Sequence, residues 1–96
     1  MDKTETEIQR GYRAQNIIND DLWKEACEHV EREVYRLWKE TTPQDKETLE
    51  HIKAMQYFHA KYQAFFMKCV TDGKIAQINL EAKKKSMKDR MKSWVA

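Results

Sequence analysis

Apolar residues recur along the chain at three- and four-residue steps, and breaks in that rhythm divide it into four segments. The first runs from about Thr4 to Ile18. Ile8, Tyr12, Gln15 and Ile18 fall on one side of a helix, with Gly11 beside them, where a neighbouring backbone can approach closely. Asn19, Asp20 and Asp21 follow and offer side-chain oxygens to cap a new helix. The second segment, LWKEACEHVEREVYRLWKE, has the cleanest pattern in the chain. Trp23, Ala26, Cys27, Val30, Val34, Leu37 and Trp38 occupy a stripe about 120° wide at ~100° per residue. Glu25, Glu28, Arg32 and Arg36 take the opposite face, with Glu28 one turn before Arg32.

KETTPQDKE interrupts this helix. Thr42 is placed to cap the next one, Pro43 suits its first position, and Asp45 suits its positive end. The spacing predicts a third helix to Thr71 or Asp72, ending where Gly73 turns left-handed. That is about 29 residues and ~43 Å. Its stripe is Ile52, Met55, Phe58, Tyr62, Phe65, Phe66, Cys69 and Val70. A short link at Thr41–Thr42 makes the second and third helices an antiparallel hairpin. Some ~13 Å of the longer helix then overhangs its partner. The overhang carries Phe65, Phe66, Cys69 and Val70; the first segment is its natural cover, with a second subunit as the other candidate.

Beyond Gly73 the helical pattern returns, but with two apolar faces. Ile75, Ile78 and Ala82 share one, expected to fold back on the hairpin. Leu80, Met87, Met91 and Trp94 share another, bordered by Lys83, Lys84, Lys88 and Arg90. A methionine-and-tryptophan stripe fringed with lysine suits an acidic, apolar groove on a protein partner. On that reading the partner-binding residues are Leu80, Lys84, Met87, Lys88, Arg90, Met91 and Trp94. Two other readings stay open. Both stripes could be core, or the lysines could meet phosphate, although the arginines and stacking aromatics common in nucleic-acid sites are lacking.

Composition agrees with helices. Two glycines and one proline in 96 residues are too few for the turns of a sheet protein. The fold class expected is therefore all-α: a long hairpin with a shorter N-terminal helix and a basic amphipathic C-terminal helix. It divides into a body, residues 1–73, and an arm, residues 74–96. The net charge of +2 is unevenly spread. From Lys74 onward seven Lys/Arg face only Glu81 and Asp89, a balance of +5 that leaves −3 for the body. Such asymmetry marks an interaction protein rather than a catalyst. The charged fraction of 35% and mean hydropathy of −0.94 leave no membrane span, and MDKTETEIQR does not read as a signal peptide. A reducing cytoplasm is the expected setting, and Cys27 and Cys69 are expected to be buried thiols.

Catalytic chemistry finds little support. Gly11 and Gly73 are isolated, so no phosphate loop forms, and Ser86 and Ser93 lie far from a histidine–carboxylate pair. Glu25 with His29, and His51, Met55 and His59, each step by one turn. The expected hairpin register sets His29 near Met55 and His59 near Glu25. It sets Cys27 beside about Tyr57, ~18 Å along the axis from Cys69. No metal-ligand spacing results, and neither a cofactor nor an enzymatic activity is expected.

The stretch GYRAQNIINDDLWKEACEHVEREVYRLWKETTPQDKETLEHIKAM, with DGK after a long helix, resembles small helical proteins that tailed bacteriophages encode among their virion-structure genes. The resemblance covers roughly residues 8–75. It rests on Gly11 and Ala14 before Ile17–Ile18, Trp38 before the Thr-Pro break, and Gly73–Lys74. It implies a virion or phage–host interaction role, in the bacterial host cytoplasm or the virion. Together with the basic arm, the expectation is a non-enzymatic docking component of virion assembly, with a phage structural protein, a host protein or a second copy as partner. An inhibitor of a host protein and a nucleic-acid-binding protein are the alternatives.

Overall fold

The computed structural model describes residues 3–95, with side chains as far as Trp94. It is all-α: α1 (Lys3–Asn19), α2 (Asp21–Glu40) and α3 (Lys46–Val95). Residues 1, 2 and 96, at the outer ends of the expected body and arm, lie outside the described residues.

A single residue separates α1 from α2. Asp20 is extended, and its carboxylate accepts from the backbone N–H groups of Leu22 (2.8 Å) and Trp23 (3.2 Å). The cap expected among Asn19–Asp21 is therefore Asp20. The second break differs from expectation. Asp45, not Thr42, caps α3: its oxygens accept from the Thr48 backbone N–H (3.1 Å) and hydroxyl (2.7 Å). These bonds, the hydroxyl's first, hold the Asp45 pKa below its ordinary value of 3.8. The linker thus spans Thr41 to Asp45, and α3 starts at Lys46.

The larger departure is at Gly73. It does not end a helix; no glycine has positive φ, and α3 runs 50 residues without interruption. Glycine in mid-helix costs about 1 kcal/mol relative to alanine. Here it is kept by a close crossing. A Cβ on Gly73 would lie 2.9 Å from the Gly11 Cα and 3.0 Å from the Glu7 carbonyl oxygen. A Cβ on Gly11 would lie 2.9 Å from the Gly73 Cα and 3.1 Å from the Cys69 carbonyl oxygen. Neither backbone can accept a methyl group without moving. The close approach anticipated at Gly11 has Gly73 as its other half.

Position pairs give the topology. Gly11 meets Gly73, and Ala14 packs with Cys69 and Val70 in a cluster against which Ile18 and Phe66 lie. Trp23 then meets the same Phe66 ring edge-on at 5.1 Å, and Glu31 comes 4.0 Å from His59. Both α1 and α2 therefore run antiparallel to α3, end to end along it. The overhang is covered by α1 as expected, except that Phe65 stays exposed. The α2–α3 register is displaced from expectation: His59 faces Glu31 rather than Glu25, a shift of six positions or ~9 Å. A linker of five residues, instead of two, delays the start of pairing and accounts for part of that shift.

The result is a rod, 78 × 25 × 21 Å, about the ~75 Å length of α3 itself. Its radius of gyration is 21.8 Å, against about 12.5 Å for a compact chain of this length. Two helices in cross-section cannot surround a core. Among the described residues, buried apolar side chains are confined to Ala14, Val34, Ile52, Cys69, Val70 and Ala76, and no large one is fully enclosed.

Candidate docking surfaces

At ~100° per residue, Met55, Phe58, Tyr62, Phe65, Cys69, Ala76, Leu80, Met87, Met91 and Trp94 all fall within an arc of about 100° on α3. One apolar face therefore runs nearly the whole helix. α1 covers only its middle, around Cys69, Gly73 and Ala76. α2 packs roughly a quarter turn away, against Ile52, His59, Gln63 and Phe66, which form the buried or half-buried seam.

This corrects two expectations. Met55, Phe58, Tyr62 and Phe65 do not face α2; they are exposed, the three aromatics by more than half. Ile75 and Ile78 do not fold inward; they are 52% and 64% exposed, and Ala82 is exposed too. The inward face past Gly73 is the one bearing Ala76 and Leu80, because small residues there let α1 approach. Sequence reasoning split this face at Gly73 and so missed its continuity. The signal was present in the three- and four-residue steps that continue through Cys69, Gly73 and Ala76 into the arm.

The seven residues expected to bind a partner lie on one ~21 Å stretch of α3. Leu80 is half-buried, and from Glu81 to Trp94 every side chain is exposed. Met87, Met91 and Trp94 continue the apolar face beyond the end of α1, and Trp94 is 89% exposed. Lys84 and Lys88 border the strip on one side, Arg90 with Lys83 on the other. Among the described residues no arm side chain enters an ion pair, so this charge is free for a partner.

A third surface lies between α2 and α3, a groove of about 500 Å³ lined by Val30, Val34, Tyr35, Trp38, His59 and Ala60. His59 Nε2 is buried there without a hydrogen-bond partner. Among the described residues no three His, Cys, Asp or Glu side chains converge as a metal site requires. Both cysteines are free thiols, Cys69 buried and Cys27 half-buried. Among the described residues no helix is long and apolar enough to cross a membrane.

Fold and surfaces together define an extended all-α hairpin whose longest helix carries a partly covered apolar face. Set beside protein-family models, curated proteins and solved structures, the chain gives no match.

Proposed function

We propose that the protein acts by docking, with the α3 segment from Leu80 to Trp94 laid into an apolar, acid-rimmed groove on a protein partner. One observation carries the reading: Met87, Met91 and Trp94 form an exposed strip between two rows of unpaired Lys/Arg side chains. The apolar strip supplies buried contact, while Lys84, Lys88 and Arg90 orient the encounter and speed it. The likeness to phage proteins gives this docking a setting in virion assembly, with the chain as an accessory structural component.

The test is the double substitution Met91→Ser, Trp94→Ser. Both side chains are exposed, so helicity and melting temperature should hold while incorporation into purified virions is lost. Unchanged incorporation sinks the reading. If the chain instead binds a nucleic acid, with an affinity that falls steeply with salt and vanishes on removing residues 83–96, the arm meets phosphate and the protein-docking role is wrong.

A further inference from the structure

The chain exposes 8417 Å². A compact monomer of 11.6 kDa would expose about 5,800 Å². The excess is several times the ~800 Å² that each partner contributes to a standard protein interface. Part of it is the bare arm. Another part is the upstream end of the same α3 face, where Met55, Phe58, Tyr62 and Phe65 stand uncovered because the chain leaves it at Asp20 to run along α2.

We infer that this strip is the contact between two copies of the chain, packed antiparallel through α3. Three features specify a second copy. First, upstream of the end of α1 the molecule is only two helices thick, α2 beside α3, so two copies crossing there make a four-helix section that encloses a seam neither encloses alone. Second, the strip is self-complementary. In an antiparallel pair centred near Ala60, Met55 opposes Phe65 of the second copy and Phe58 opposes Tyr62, so large residues meet large residues about a two-fold axis. Third, charge favours this location over the arms. The arms are basic and repel one another, whereas the strip itself carries no charged residue. Lys61, on its border, has its ammonium 5.1 Å from the centroid of the Tyr57 ring, on the side away from the strip.

The inference does not rest on the role of the arm, but it has a consequence for it. Residue 88 is 28 positions from the axis, so the two arms project from opposite ends, ~80 Å apart. A dimer of this form is a bivalent connector. It can hold two partner sites at a fixed spacing, with the gain in avidity that tethering provides.

Sedimentation equilibrium of the full chain, from micromolar to hundreds of micromolar, should give twice 11.6 kDa. Phe58→Glu combined with Phe65→Glu should raise the dissociation constant by on the order of 100-fold. Far-UV circular dichroism should stay unchanged, since both side chains are exposed in the monomer. The variant Met91→Ser, Trp94→Ser should dimerise as the parent does. A parent that remains monomeric at every concentration overturns the inference. So does a dimer that survives the paired glutamates, or one lost only when the arm is altered.

Discussion

The two seams of α3 are built from opposite materials. Against α1 the contact is made by Gly11, Ala14, Gly73 and Ala76, and backbone nearly touches backbone. Against α2 it is made by Trp23, Val30, Val34, Ile52 and His59, and the helices stand far enough apart to leave a groove of about 500 Å³. Yet α2 has the cleaner amphipathic pattern. Its stripe announces an inward face, while that of α1 is faint because glycine and alanine contribute little hydropathy. Pattern clarity reports how much apolar surface a helix has to bury; closeness of packing depends on how small the facing residues are.

The sharpest way to break this contrast is at the crossing. Gly11→Val places branched carbons where even a Cβ lies 2.9 Å from the Gly73 Cα. It should cost about 3 kcal/mol, at the upper end for overpacking. Gly11→Ala should cost only ~1–2 kcal/mol net, because alanine recovers about 1 kcal/mol of helix propensity. Urea titration measures both. Val34→Ala, in the looser seam, removes two methyl groups from a buried site and should cost about 1.5 kcal/mol. A larger loss there than for Gly11→Val would invert the ranking of the seams.

Smaller effects belong to the helix ends. Asp20→Ala removes the acceptor for two N–H groups at the α1–α2 break and should cost about 1 kcal/mol. Asp45 gives a pH signature. Hydrogen bonds from Thr48 depress its folded pKa below 3.8, so its contribution is full above that value. It is lost as pH falls through the lower folded pKa. Protection of the amides in the first turn of α3, taken relative to their intrinsic exchange rate at each pH, should therefore fall in acid, and the acid-dependent part should vanish in Asp45→Asn. The smallest change in stability is expected for Met91→Ser with Trp94→Ser, within ~0.5 kcal/mol. A marked fall in melting temperature would place those side chains in a packed seam and erase the distinction between covered and bare parts of the α3 face.

Much of the fold was legible before the structure. Scarce glycine and proline give an all-α chain, Asp20 falls where a cap was expected, and α1 covers Cys69 and Val70. The Gly73 break was misread because glycine serves two purposes. It ends helices through positive φ, and it lets helices touch through its missing side chain; only the position of Gly11 across the gap separates the two. The register of α2 was misread because cap strength alone does not choose between Thr42 and Asp45. In the arm, the exposure of Met87, Met91 and Trp94 was legible, since residues beyond the end of α1 have no competing element to hide them. Ile75, Ile78 and Ala82, by contrast, were placed inward and stand exposed. The strip at Met55–Phe65 was assigned to the core, because aromatics at helical spacing usually are.

From the sequence alone came the all-α class, the break at Asp20 with its cap and the charge asymmetry, all of which depend on composition or on residues a few positions apart. The tertiary structure decided which part of a long apolar face is covered. That outcome depends on where two backbones fit closely enough to meet, and on a single residue, Asp20, at which the covering chain turns aside and leaves the rest of the face bare.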